Sequence, residues 1–261
     1  MKKTMLLAAL LMAGTSALAQ TPAPATAPGA VVEQSNEYRF QLDLAVDQAA
    51  LNKALPAGWE SQIAAQGPAK DCNLRLIFID RVNVLDAHAR VLGPGKDIAV
   101  YLEAPVKQTG GTGTARVVLA GISEHDSATA ATFGRLAKAA KVSAARTIAT
   151  TDGKTTVTED WDLTGAGGEH ARLHVKFVRA PANRASADVR FLNPANPAQF
   201  MTVHTEQETD IARNVTTTPP DRVQEFSFTA GGGAFDALLG ASPKPLSWDA
   251  QPTYRRSIAA P

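Results

Sequence analysis

Apolar and polar residues alternate along most of the chain, which is the pattern of β-strands that bury one face. In the first such segment the apolar side chains share one face and the polar side chains the other: Tyr38, Phe40, Leu42 and Leu44 against Arg39, Gln41 and Asp43. Residues 74–79 carry apolar side chains on both faces, as expected for a strand that is covered on both sides. Further strands are predicted at 98–106, 115–122, 172–179, 185–192, 201–211, 222–229 and 254–258. Many strands without a strand–helix rhythm predict a mainly β barrel or sandwich.

Two short segments break the alternation in favour of helices. Asp47 is placed to cap a helix in which Leu51 and Leu55 lie four residues apart on one face, and Pro56 ends it. A second short helix is predicted at 234–239, near the end of the chain.

The longest helical candidate runs from Ser127 to Ala145. It is rich in alanine, and Phe133 and Leu136 begin a set of apolar residues that are spaced for one helical face. We therefore expect one prominent helix in this part of the chain. After it, Asp152-Gly153 predicts the turn of a β-hairpin.

The residues expected in the core of such a fold are aliphatic or aromatic: Leu76, Phe78, Ile98, Val100, Val118, Leu173, Val175, Phe226 and Phe228. The single cysteine, Cys72, has no partner for an internal disulfide and is predicted to be a small buried residue rather than a nucleophile. The fold must therefore be stabilised by packing.

The first residues of the chain have the features of a bacterial signal peptide, predicted to span 1–19. Lys2 and Lys3 precede an apolar run, and Ala17-Leu18-Ala19 supplies the small residues of a cleavage site before Gln20. The pattern predicts a periplasmic or secreted protein that is not inserted in a membrane after cleavage. Residues 20–30 form a Pro/Ala/Thr-rich spacer, and residues 31–261 are predicted to form a single domain.

The charge of the mature chain is close to balanced. Loss of Lys2 and Lys3 leaves 24 of the 26 basic residues against 25 acidic ones, a formal charge near −1. Such a surface has no reason to bind nucleic acid or an anionic membrane. A balanced charge is compatible with a small-molecule ligand and also with assembly into a homo-oligomer.

Two histidines, His170 and His174, have the spacing of a helical metal motif. Their neighbours alternate as in a strand, however, and on a strand the two imidazoles lie roughly 13 Å apart, too far to share one ion. No metal site and no cofactor are predicted.

Two groups of residues could carry chemistry. Glu124-His125-Asp126 is a polar triplet at a strand end, which could be an acid/base cluster or only the cap of the following helix. Lys138 and Lys141 would lie one turn apart on that helix, where mutual repulsion in a dry site would favour the neutral amine that forms a Schiff base with a ketone. Lysines on the wet face of an amphipathic helix would explain the same pattern.

The segment Asp47-Gln-Ala-Ala-Leu-Asn-Lys-Ala-Leu-Pro56 resembles the "D-x-x-A-L-x-K-x-x-P" opening of acetoacetate decarboxylase-like proteins. The resemblance continues in order and approximate spacing to about residue 161, through Glu124, Gly134-Arg135, the two lysines and the Asp152-Gly153 hairpin. It implies a mainly β, acetoacetate decarboxylase-like barrel with one prominent helix and short helices.

The same resemblance implies roles for several residues, if the chain is an enzyme. Lys141 would be the Schiff-base lysine of a carbon–carbon lyase, Lys138 would lower its pKa, and Glu124 would transfer protons. Arg135 would hold a substrate carboxylate. The family's adjacent lysine pair after proline is missing here, and its arginine falls at Ala45, so Arg39 and Arg81 are the candidates to replace that arginine.

Two functions are compatible with these features. The first is a periplasmic barrel that binds a small carbonyl- or carboxylate-bearing molecule, with or without decarboxylase-like chemistry. The alternative is a non-catalytic structural or envelope-associated interaction protein whose barrel is filled. The volume of the barrel interior distinguishes them.

Overall fold

The computed structural model describes residues 29–125, 130–216, 221–240 and 243–260, so the predicted signal peptide lies outside the described residues. The elements are, in chain order, β1 (Val31–Ala45), α1 (Gln48–Ala54), β2 (Trp59–Ser61), β3 (Leu74–Leu85), β4 (Asp97–Gln108), β5 (Thr114–Ser123), a 3-10 turn (Ala130–Thr132), β6 (Leu136–Thr151), β7 (Lys154–Gly165), β8 (His170–Val178), β9 (Asn183–Asn193), β10 (Asn196–Asn214), β11 (Val223–Gly231), α2 (Ala234–Leu239) and β12 (Lys244–Ala259). The fold is mainly β, as the alternation predicts.

Seven strands close into a barrel in the order β1, β3, β4, β5, β9, β10 and β12. Six of the seven contacts are antiparallel, and the seam is a parallel contact of β5 with β9 at Arg116 and Phe191. The other end of β5 turns away from β9 and pairs with β6 through residues 121–123. Among the described residues β5 and β9 therefore pair with each other at a single position.

Strands β6, β7, β8 and β11 form a second sheet that covers the outer face of the barrel strands. Phe40 on β1 packs on Phe177 with ring centroids 6.1 Å apart, and Phe78 on β3 packs on Trp161 at 5.7 Å. The main hydrophobic core lies between this sheet and the barrel wall, rather than inside the barrel.

The predicted core is largely confirmed. Leu76, Phe78, Val100, Val118, Leu173 and Val175 are buried. Ile98, Phe226 and Phe228 are only partly buried, although all three pack against the same core. The two phenylalanines lie on β11, whose second edge has no neighbouring strand among the described residues.

The prediction of a prominent helix from Ser127 to Ala145 is wrong. Residues 136–151 form β6, which pairs along almost its whole length with β7, and only the three-residue 3-10 turn at 130–132 is helical. Phe133 and Gly134 have φ angles of 50° and 71°, which stop a right-handed helix before β6 begins. Pairing with β7 outweighs the high helix propensity of alanine and lysine in this segment, because intrinsic propensity is easily overridden by tertiary contacts. Residues 126–129 lie outside the described part.

The short helices and the hairpin are confirmed. The Asp47 carboxylate accepts a hydrogen bond from the Ala50 amide at 2.6 Å, and α1 ends at Ala54, before Pro56. The turn between β6 and β7 lies at Asp152 and Gly153, with φ angles of 51° and 73°. Neither helix of the described residues is long and apolar enough to cross a membrane.

Gly121 sits where the barrel and the second sheet meet. A Cβ atom at this position would lie 2.5 Å from the Val100 carbonyl oxygen and 2.4 Å from a methyl group of Leu136. Because backbone at that distance cannot move away cheaply, only glycine allows β5 to lie between β4 and β6 here.

Candidate binding site at the open end of the barrel

The interior of the barrel is lined with charged side chains. On β1 the residues opposite the apolar face, from Glu33 to Asp43, point into the barrel and are buried. Arg39 and Arg81, predicted as ligand-binding residues, both point inward. Arg39 donates to the Glu37 carboxylate at 2.7 Å, and the Arg81 guanidinium is 3.6 Å from it. The structure therefore brings these two predicted residues together around one acidic group.

A third arginine completes this group, which we call the Glu37 network: Glu37, Arg39, Arg81 and Arg256. The Arg256 guanidinium is 2.7 Å from the Glu37 carboxylate. Burial alone raises the pKa of Glu37, but the guanidiniums of Arg256, Arg39 and Arg81 outweigh it and lower the pKa to about 2. Glu37 is therefore ionised at neutral pH.

The middle of the barrel is filled by this network and by two tyrosines. The Arg39 guanidinium lies 3.5 Å from the ring centroid of Tyr254, and Tyr101 is 1% exposed. Burial raises the pKa of Tyr101 to about 12, so its hydroxyl is neutral. Arg39 is held by its contacts with Glu37 and Tyr254, which leaves it poorly placed to bind a ligand.

A second charged group lies at the other end of the barrel and is open to solvent. Glu103 on β4 is fully buried, and its Oε1 atom is 3.4 Å from Arg75 Nη1 and 3.1 Å from Arg116 Nη1. The two arginine side chains are 18% and 26% exposed. They face a cleft of about 470 Å³ between the start of β5 and residues 188–190 of β9. We call this site the arginine cleft: Arg75 and Arg116 held by Glu103.

Two aspartates lie behind the arginine cleft. The Asp43 carboxylate is 3.3 Å from Arg75 Nε and accepts a hydrogen bond from Gln41 at 2.8 Å. Burial, followed by the nearby charge of Asp43, raises the pKa of Asp249 to about 8, and burial also raises the pKa of Asp43. The pair therefore holds a proton at neutral pH.

The arginine cleft has the chemistry of a carboxylate-binding site. A guanidinium presents several N–H donors in a planar fork that matches the two oxygens of a carboxylate. Among the described residues, Glu103 is the only ion-pair partner of Arg116, so donors of Arg116 remain available at the cleft. The protonated aspartate pair keeps the negative charge behind the cleft low.

The residues predicted for Schiff-base chemistry do not line the barrel interior. Lys141 lies on the second sheet with a side chain that is 60% exposed, and its ammonium is 2.5 Å from the Asp162 carboxylate. Lys138 is exposed near the start of β6. The expectation that the two lysines are one helical turn apart is wrong, because both are on a strand. An exposed, ion-paired ammonium is the opposite of the dry, neutral amine that the mechanism needs.

No lysine of the described residues is buried. Glu124 is half-buried directly after β5, with its carboxylate 3.7 Å from His125 Nε2, and Arg135 is exposed just before β6. These two residues lie at the end of β5 opposite to Arg116. Asp126, the third residue of the polar triplet, lies outside the described residues.

The sequence contains a signal for the arginine cleft. Arg75, Glu103 and Arg116 are single charged residues inside segments that are otherwise predicted as buried strands. A charged residue in such a strand needs a partner, because an unpaired buried charge is costly. The sequence does not show that the three belong together, since that depends on the register of β3, β4 and β5.

Cys72, at the edge of the cleft, is not a nucleophile in this structure. The residue is 1% exposed, and its thiol donates to the Leu74 carbonyl at 3.2 Å. Burial raises the pKa of the thiol to about 12. The prediction of a small buried residue is confirmed.

Comparison with solved structures identifies the fold. The chain is similar to an acetoacetate decarboxylase-like enzyme from Sphingomonas wittichii RW1, with a TM-score of 0.55 and 13% identity over 95% of this chain and 97% of that one. It is also similar to the enduracididine biosynthesis enzyme MppR complexed with pyruvate, with a TM-score of 0.52 and 12% identity over 93% and 94% of the two chains. No family model matches the sequence, and no curated protein matches it either. The chain thus has the acetoacetate decarboxylase-like fold predicted from its opening segment.

Proposed function

We propose that this acetoacetate decarboxylase-like barrel binds a small carboxylate-bearing molecule in the arginine cleft. The observation that carries the proposal is the pair of partly exposed guanidiniums, Arg75 and Arg116, held on one fully buried carboxylate, Glu103. Their remaining donors face a cleft large enough for a small organic acid. MppR, which has the same fold, was solved with pyruvate, a small keto acid, and this supports the ligand class.

The protein binds its ligand without a Schiff base in this proposal. An imine requires a neutral lysine amine beside the ligand, and Lys141 is exposed and ion-paired away from the cleft. The aspartate pair Asp43 and Asp249 could supply or accept a proton behind the arginines, but the described residues place no nucleophilic amine there. The signal-peptide pattern supports action in the periplasm or the medium.

Calorimetry with three related probes tests the ligand class. Pyruvate contains a carboxylate and a ketone, acetate only the carboxylate, and acetone only the ketone. We expect pyruvate and acetate to bind and acetone not to bind. Arg116→Met should weaken pyruvate binding by roughly 10- to 100-fold, since a charged hydrogen bond contributes about 1.5–3 kcal/mol.

Arg184→Met is the matched control, because Arg184 lies on β9 with a side chain that is 75% exposed and only a weak contact to Glu206. It should leave pyruvate binding unchanged. Equal binding of acetone, or binding that survives Arg116→Met, would contradict the proposal. Cell fractionation with an antibody to the mature chain tests the predicted location separately.

Borohydride reduction in the presence of pyruvate tests the lyase alternative. We expect no mass increase. A covalent adduct that disappears in Lys141→Ala would show that Lys141 forms an imine after all.

The filled centre of the barrel favours a second candidate, a non-catalytic structural or envelope-associated protein. Arg39, Tyr101 and Tyr254 occupy the space in which an enclosed ligand would lie. If none of the small acids binds, this second function is the better explanation of the barrel.

A further inference from the structure

A second concave surface lies on the outer wall of the barrel, away from the second sheet. Strands β10, β12, β1 and β3 run side by side there, and their outward side chains form two rows. The first row is His204, Ser257, Gln34 and Leu85, and the second is Glu206, Arg255, Asn36 and Asn83. These eight residues line a groove of about 350 Å³, which we call the amide groove.

The strand register aligns the side chains of the amide groove. Asn36 on β1 lies opposite Asn83 on β3 and opposite Arg255 on β12, while Gln34 lies opposite Ser257. Because neighbouring strands are about 4.8 Å apart, each row of four spans roughly 14 Å. The groove is therefore long enough for more than one sugar ring, and hydrogen-bonded strands hold its groups in place.

Three side-chain amides in the groove have unused hydrogen-bonding capacity. Gln34, Asn36 and Asn83 are exposed, and their carboxamides form no hydrogen bond with other described residues. Each carboxamide carries two donors and an acceptor oxygen. A ligand hydroxyl both donates and accepts, so adjacent carboxamides suit a ligand that presents several hydroxyl groups in a line.

The charged groups of the amide groove are matched within the protein. Glu206 is 3.9 Å from Arg255 and 3.8 Å from Arg184. The His204 ring is 2.7 Å from the Asp188 carboxylate. Acidic and basic groups alternate along the amide groove, so the groove has no net electrostatic potential that would select a charged ligand.

We propose that the amide groove binds a neutral saccharide chain, with Gln34, Asn36 and Asn83 as its main hydrogen-bonding groups. The groove is lined by other residues than the arginine cleft, although His204 of the groove contacts Asp188, which lines the cleft.

The side-chain NH2 signals of the three amides report directly on the groove in a 15N-labelled protein. Maltotetraose, which has only hydroxyl groups, and tetra-N-acetylchitotetraose, which also has acetamides, are the probes. We expect at least one of them to shift the NH2 signals of Asn36 and Asn83 in a saturable manner. An absence of shifts with both probes at millimolar concentration would overturn the proposal.

The double variant Asn36→Ala/Asn83→Ala should weaken binding of the active probe by roughly ten-fold or more, because it removes several hydrogen bonds at once. Gln224→Ala is the matched control, since Gln224 is an exposed amide on β11, and it should bind as the wild type does. Arg116→Met should also bind the saccharide normally. Unchanged binding in the double variant, or a stronger and salt-sensitive response to an anionic tetragalacturonate, would contradict a neutral saccharide site.

Discussion

The two buried regions of this protein share strands and differ in chemistry, because the barrel interior adds a network of charged side chains to its smaller apolar cluster. Phe40 and Leu42 on β1 face the second sheet and are completely buried in an apolar core. Glu37 and Arg39, on the same strand, face the barrel interior and are buried to the same extent among charges. The period of two along a strand places these two environments a single residue apart.

The comparison shows that burial alone does not reveal how a region is stabilised. The core between the sheets gains free energy from the removal of apolar surface from water. The barrel interior must instead match each charge with a partner, as Glu33, Glu37 and Asp97 do with Arg39, Arg81 and Arg256. The first region tolerates small losses of contact, whereas the second is sensitive to the loss of a single charge.

The largest effect is expected from a single charge change in the barrel interior. Glu37→Gln keeps the size of the side chain but leaves three guanidiniums around a neutral group, so we expect a loss of about 3–5 kcal/mol in the free energy of unfolding. Urea denaturation measures it. The double variant Glu37→Leu/Arg39→Met removes one charge of each sign and should lose less than Glu37→Gln. A double variant that is less stable than Glu37→Gln would contradict the prediction that unpaired charge causes the loss of stability.

A cavity in the apolar core should have an effect of similar or slightly smaller size. Phe78→Ala removes a fully buried ring that packs on Trp161 at 5.7 Å, and we expect a loss of about 3–5 kcal/mol. The change should be insensitive to pH, unlike changes in the barrel interior. A strong pH dependence of the Phe78→Ala loss would show that the two regions are not independent.

The two acidic groups of the barrel interior should give pH effects of opposite sign. The pKa of Glu37 is lowered to about 2, so its contribution to stability is present at neutral pH and is lost as the pH falls from about 4.5 towards 2. The pKa of Asp249 is raised to about 8, so the folded state keeps a proton that the unfolded chain releases. Stability should therefore fall as the pH rises from about 4 to about 8, by up to about 1.4 kcal/mol per pH unit.

Asp249→Asn should reduce the decrease in the free energy of unfolding that Asp249 causes as the pH rises. The loss of stability at low pH, which Glu37 causes, should remain. Urea midpoints measured between about pH 5 and about pH 8 give the slope. Asp71→Asn, at an exposed aspartate, is the control and should keep the wild-type slope. An unchanged slope in Asp249→Asn would show that Asp249 is ionised in the folded protein.

The smallest effect is expected at an exposed apolar residue outside both regions. Ile148 on β6 is 55% exposed, and Ile148→Thr should change the free energy of unfolding by no more than about 0.5 kcal/mol. The same denaturation assay measures it. A loss as large as that of Phe78→Ala would mean that this face of β6 is covered in solution.

The sequence by itself determined the strands, the short helices and the class of fold, because period-two alternation, an Asp47 cap and an Asp152-Gly153 turn are local signals. It also predicted that Arg39 lies opposite an apolar strand face. It failed for residues 136–145, where alanine and lysine favour a helix locally and only pairing with β7 selects a strand.

Only the tertiary structure determines which residues form the candidate site. Arg75 and Glu103 are cross-strand partners, and Arg116 reaches the same carboxylate from β5, although the three residues are far apart in the sequence. Lys141, which the sequence favoured, lies on the sheet outside the barrel. Which side of the barrel wall a charged residue occupies depends on strand register and closure, and these arise from the packing of the whole chain rather than from any local pattern.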